Sequence, residues 1–122
     1  MQIYFADTYA LVEYVGGNKV FKKYFTEQTI ITTKLNLLEL HYSLLRNGDY
    51  ERADAYYDSF LSCTVDLDDG VLKKASVFKL ENRHKDISYV DAIGYQTAVA
   101  HNALFLTGDK EFKNFKCVEF VK

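Results

Sequence analysis

Residues 88–112, SYVDAIGYQTAVAHNALFLTGDKEF, read as a helix, a strand and a turn in immediate succession. Ser88 and Asp91 have the spacing of a helix opening, and small residues (Ala92, Gly94, Ala98, Ala100) populate the helix that follows. Asn102 and Ala103 form a two-residue joint, Leu104 to Leu106 is a short apolar strand, and Thr107-Gly108-Asp109 is a tight turn. Helix then strand with so short a joint is the repeating step of a parallel α/β sheet. Asp91 and Asp109 bracket the unit. The N-terminus repeats the arrangement, with a strand from Gln2 to Ala6 running directly into Asp7, Thr8 and a helix to Val15.

Working outward, Gly16-Gly17-Asn18 stops that first helix, and an amphipathic segment carries Val20, Phe21, Tyr24 and Phe25 on one side. The β-branched run Thr29 to Thr33 reads as a second strand. Thr33 then caps a helix from Lys34 to Arg46, which is apolar on most sides and so expected to be buried. Its polar stripe is Asn36, Glu39, Ser43 and Arg46. A helix from Tyr50 to Leu61, with Tyr50, Ala53, Tyr57 and Phe60 on one face, precedes a third strand from Cys63 to Leu67. Asp68-Asp69-Gly70 opens a helix from Val71 to Glu81, with Val71, Ala75, Phe78 and Leu80 turned inward, and Cys117 to Val121 supplies a fifth strand. Five strands alternating with helices imply a three-layer α/β/α domain around a parallel sheet, spanning residues 1–122 as a single unit.

The composition is that of a globular protein, with 48 % hydrophobic and 26 % charged residues. A net charge of −2 excludes a strongly basic surface, so affinity for phosphates must come from local lysines or bound cations. Every apolar run is interrupted by polar residues, so neither a signal peptide nor a membrane span is expected. Cys63 and Cys117 have no metal-ligand spacing, which points to free thiols and a reducing cytoplasm. His41, His84 and His101 also lack ligand spacing.

Ligands of an open parallel sheet bind beyond the carboxyl ends of its strands. Asp7 and Asp109 each fall just past such an end; the end occupied by Asp91 is less evident from topology. Glu39 sits on the polar stripe about 9 Å along its helix from Thr33, close enough for its side chain to lean over the edge. Gathered carboxylates repel one another unless a cation sits among them. Hard oxygen donors without nearby His or Cys select Mg²⁺ or Mn²⁺ over zinc, and phosphodiester hydrolysis is the chemistry best suited to such a site. Each acid also has a structural reading: Asp7 and Asp109 as helix N-caps, Asp91 as a capping-box partner of Ser88, Glu39 as a solvated side chain. The readings are compatible, because a helix N-terminus favours negative groups.

The set FADTYAL, NLLELHYSL, ISYVDAIGYQTA and LFLTGDKEF resembles PIN domains, in particular the VapC-type toxins of bacterial toxin–antitoxin pairs, across essentially the whole chain. The resemblance implies a parallel sheet of order 3-2-1-4-5, which would put Cys63 and Cys117 at opposite edges. It also implies a Mg²⁺- or Mn²⁺-dependent endoribonuclease leaving a 5′-phosphate and a 3′-hydroxyl, with an RNA substrate and a small antitoxin as partner. By that likeness Asp7, Glu39, Asp91 and Asp109 are the catalytic and metal-binding acids, with Asp7 and Asp91 the most direct ligands. Thr8 and Thr107 match the hydroxyl positions beside them. The departures are the glycine within TGD and the scarcity of bases near the acids in sequence beyond Lys110 and Lys113.

Two other classes compete. A receiver-type signalling domain would need an acidic pair after strand one, an Asp ending strand three and a lysine after strand five, whereas strand one offers Asp7 alone. A non-catalytic module of the same shape is disfavoured by four intact acids and would show no metal response. The aromatics Phe21, Tyr24, Phe25, Tyr50 and Tyr57 exceed the evident needs of a small core and suggest a homodimer face or a groove for a partner helix.

Overall fold

The computed structural model describes residues 1–122. Its sheet contains four parallel strands: β1 (Ile3–Ala6), β2 (Thr29–Ile31), β3 (Leu104–Thr107) and β4 (Val118–Phe120), in the order β2-β1-β3-β4. Six helices, α1 (Thr8–Val15), α2 (Lys19–Glu27), α3 (Lys34–Arg46), α4 (Tyr50–Phe60), α5 (Asp69–Glu81) and α6 (Tyr89–Ala100), surround it. The central pairing aligns Tyr4 with Leu104, Phe5 with Phe105 and Ala6 with Leu106.

The expected third strand, Cys63 to Leu67, does not form. Leu61–Cys63 is a 3₁₀ turn, and only Thr64 pairs, through a single parallel bridge to Thr32. Thr32 N–H donates to the Cys63 carbonyl, and Val65 N–H to the Thr32 carbonyl. The exposed acids Asp66, Asp68 and Asp69 then draw the chain off toward solvent, and Asp68 caps α5. The bridge still lies outside β2, so the order expected from the resemblance survives with its outer strand cut to one residue. Cys63 and Cys117 are free and lie at opposite edges; Cys117 precedes β4 rather than belonging to it and has φ of 60°.

Small residues set the depth of α6. A Cβ on Gly94 would meet the Phe5 ring at 2.9 Å and the Phe105 ring at 3.3 Å. Ala92 and Ala98 are also fully buried, so the helix lies close against the stacked Phe5 and Phe105 rings. Close packing of this kind fixes a helix to within fractions of an ångström.

Three amphipathic expectations are corrected. α3 is not enclosed: Leu37, Leu40 and Leu44 are buried, but Leu38 and Tyr42 are about 60 % exposed, at 59 % and 61 %. Leu80 of α5 is exposed rather than inward. Phe21 and Tyr24, expected on a partner-binding face, are core residues, and Phe25 stacks on Tyr14. The wide helix layer on that side of β1 absorbs them.

Candidate functional site

The helix preceding a parallel strand runs against the strand direction. The N-terminus of α6, with Asp91, therefore lies at the carboxyl edge of the sheet, where Asp7 follows β1 and Asp109 follows β3. Topology thus resolves the end that the sequence left open.

Asp7 is the N-cap of α1. Its Oδ1 accepts the Ala10 N–H at 2.8 Å, its own N–H donates to the Leu106 carbonyl at 3.2 Å, and it is only 3 % exposed. Burial pushes its carboxyl up to about 7. Hydrogen bonds from Thr107 and Ala10 oppose the rise, and the Asp91 and Asp109 carboxylates add to it. Asp91 forms the full capping box with Ser88: the Ser88 N–H donates to Asp91 Oδ2 at 3.0 Å, and Asp91 N–H donates to Ser88 Oγ at 3.1 Å. Burial raises the Asp91 carboxyl above its ordinary value against the pull of Ser88, and Asp109 and Glu39 raise it further. Asp109 caps the 3₁₀ turn Lys110–Phe112, accepting Glu111 N–H at 3.0 Å, while its own N–H donates to Thr107 Oγ1 at 2.9 Å.

Glu39 reaches the edge by a different route. The Thr8 hydroxyl donates to Glu39 Oε1 at 2.6 Å, Asn36 Nδ2 donates to Thr8 Oγ1 at 3.2 Å, and Thr33 Oγ1 donates to Asn36 Oδ1 at 2.6 Å. Asn36 is 2 % exposed and Thr33 fully buried. Asn36 was read only as part of a polar stripe; its place three residues after the Thr33 cap and three before Glu39 is the signal of its supporting role. Glu39 is therefore not a freely solvated side chain, and all four acids combine a structural bond with a place at the edge.

None of the four carboxylates has a Lys, Arg or His partner within ion-pair distance; the ion pairs of the fold are His41–Asp54 and Arg52–Asp49. Nor do three Asp, Glu, His or Cys side chains close into a ready-made cation cage. Beside Thr8 and Glu39 an open groove of about 810 Å³ runs between α1 and α3 to Arg46, with Leu38 and Tyr42 on its wall. The glycine of TGD has a steric cause: a Cβ on Gly108 would lie 2.2 Å from the Tyr9 ring.

A three-layer parallel fold with acids gathered at one edge defines a class, and comparison with known proteins assigns it. The PIN domain family model matches residues 4–116, and the chain belongs to that family. Among solved structures it is similar to a Mycobacterium tuberculosis toxin, VapC20, described as cleaving the sarcin-ricin loop (16 % identity, 97 % of this chain and 96 % of that one, TM-score 0.77). It is also similar to VapBC2 from Rickettsia felis bound to a promoter DNA fragment (22 %, 98 % of each chain, TM-score 0.74). A Klebsiella pneumoniae toxin–antitoxin complex is a third such structure (16 %, 98 % and 96 %, TM-score 0.76). No curated protein matches the sequence.

Proposed function

We propose that residues 1–122 form one nuclease domain that hydrolyses RNA phosphodiester bonds with Mg²⁺ or Mn²⁺, as the toxin of a toxin–antitoxin pair in the cytoplasm. The observation that carries this reading is the set of unpaired acids at one sheet edge, where Asp7 and Asp91 are raised by burial and by their neighbours. A cation is the missing counter-charge that would let these groups ionise together. When bound, the ion supplies Lewis-acid polarisation of the phosphate and a more acidic water.

Asp7 and Asp91 would hold it, with Glu39 and Asp109 flanking. The Thr8 hydroxyl, anchored by Asn36, fixes one Glu39 oxygen and leaves the other free to face solvent or substrate. Thr107 restrains Asp109 through its backbone N–H and favours ionised Asp7 through its hydroxyl. The three caps and the Thr8–Asn36 relay keep the four acids in place before substrate arrives, which is how a site built on positioning lowers a barrier.

A small antitoxin partner is supported by relatives solved as toxin–antitoxin complexes and by the apolar wall of Leu38 and Tyr42 beside Glu39. A homodimer is part of the same proposal. The test is cleavage of RNA by purified protein with Mg²⁺ or Mn²⁺ and with EDTA. Metal-restricted cleavage is the expected result; equal activity in EDTA rejects the metal mechanism, and no cleavage together with no metal-induced rise in melting temperature favours a non-catalytic module.

A further inference from the structure

The chain is acidic overall, yet one stretch is strongly basic. Between residues 73 and 85 stand Lys73, Lys74, Lys79, Arg83 and Lys85 against Glu81 alone, while the remaining sequence carries ten cations against sixteen acids. None of these five cations makes an ion pair. Lys73, Lys74 and Arg83 are exposed, and the span from Lys73 to the end of α5 and the turn beyond it covers about 15 Å. The Lys79 ammonium donates to the Ile87 carbonyl at 2.8 Å and lies 4.9 Å from the centre of the Tyr89 ring, which is 67 % exposed. An open groove of about 420 Å³ lies between α5 and Tyr89.

This basic turn is tied to the acid edge at two points. Asp86 N–H donates to Glu111 Oε1 at 3.2 Å, and Glu111 N–H donates to Asp109 Oδ1. Ser88, next to Tyr89, is held by Asp91. The turn after α5 therefore adjoins the acid edge through these hydrogen bonds.

We infer that the outer face of α5 and the turn to Tyr89 form the track that holds single-stranded RNA leading into the acid edge, with Lys73, Lys74, Arg83 and Lys85 on phosphates and Tyr89 stacked on a base. This rests on the nuclease reading and adds where the substrate lies. Unpaired cations beside an exposed aromatic are the elements of sequence-tolerant single-strand binding. A polyanion satisfies all of these charges at once, which the apolar Val77 and Leu80 alone would not. Continuity with Asp91 and Asp109 places a bound strand where it would be cut.

The experiment measures binding of a fluorescein-labelled single-stranded RNA oligonucleotide in EDTA across a salt series, using the full chain. Lys74→Gln with Arg83→Gln should weaken binding about tenfold at low salt and flatten the salt dependence by about 1.4 in log–log slope, at about 0.7 per phosphate contact. Tyr89→Ala should weaken binding about tenfold with its slope unchanged. Lys19→Gln with Lys22→Gln, on α2, should change neither. Circular dichroism melts confirm that each variant is folded. Binding by the patch variants equal to the parent overturns the track. If those variants instead fall from dimer to monomer in sedimentation while binding RNA normally, the face belongs to a second copy and the track is likewise overturned. Metal-dependent cleavage is read separately across an RNA concentration series: the patch variants should raise KM with kcat unchanged. A parent that binds through the patch but never cleaves refutes the nuclease reading and leaves the binding surface standing.

Discussion

Asp7, Asp91 and Asp109 reach the carboxyl edge in one way and Glu39 in another. Each aspartate sits at the opening of a helix or 3₁₀ turn and accepts a backbone N–H within three residues of itself. Glu39 lies inside α3 and is fixed by a side-chain relay from Thr33 through Asn36 to Thr8, 31 residues away. Local caps form with the helix that carries them, whereas a relay exists only once α1 and α3 have packed. Damage to one aspartate should therefore stay local, and damage to the relay should spread.

The largest effect should come from Asp91→Asn. Asn retains an oxygen for the Ser88 N–H and removes one negative charge from the edge, so metal-free stability should hold or rise. The parent melting temperature should climb with millimolar Mg²⁺ or Mn²⁺, the variant's much less, and cleavage should drop about a hundredfold or more. A less stable variant with the full metal shift would make Asp91 a cap and nothing else.

Asn36→Ala should cost about 2–3 kcal/mol in denaturant unfolding, because it leaves the buried Thr33 hydroxyl without its acceptor and Thr8 without its donor. It should also lower cleavage even though Asn36 touches no carboxylate. Unchanged cleavage per folded molecule would dissolve the contrast between relay and cap.

The pH dependence of the metal-free protein isolates Asp7. Its carboxyl titrates near 7 in the folded chain against 3.8 when exposed, so between these values the folded state holds the extra proton. Stability from this group is present in full below about pH 4 and lost as pH rises through about 7, with a slope of at most about 1.4 kcal/mol per unit. Asp7→Asn should flatten that decline in urea melts at pH 4 to 7.5. An identical profile in the variant would assign the decline elsewhere.

Ser88→Ala should have the smallest effect, about 1 kcal/mol, the ordinary worth of a helix N-cap. Its metal-induced shift should be close to the parent's, since the Ser88 N–H to Asp91 bond is retained.

The same contrast explains what could be read from the chain alone. Capping residues, β-branched runs and short joints are local, so Asp7, Asp91, Asp109 and four of five expected strands were legible. The missing strand failed because Cys63–Leu67 is apolar enough locally, yet the acids after it pull the chain off the edge beyond Thr64. The sequence shows Asn36 only as part of a polar stripe, because its partner Thr8 comes from another segment 28 residues away. The exposure of Leu38 and Tyr42 was equally hidden, since helical periodicity gives an apolar face but not what lies against it. The basic turn meets the acid edge partly through Glu111, 25 residues further along from Asp86, a link no local pattern reveals.

The pairing of β1 with β3 joins segments about a hundred residues apart, and Asp7 and Asp109 emerge from these two strands. Closing so long a loop is slow, and its entropic cost falls before the pairing is rewarded. A ribosome-bound chain that has not yet released β3 contains Asp7, Glu39, Asp91 and β2, but neither β3 nor Asp109. The acid edge is therefore complete only once β3 has left the ribosome and paired with β1.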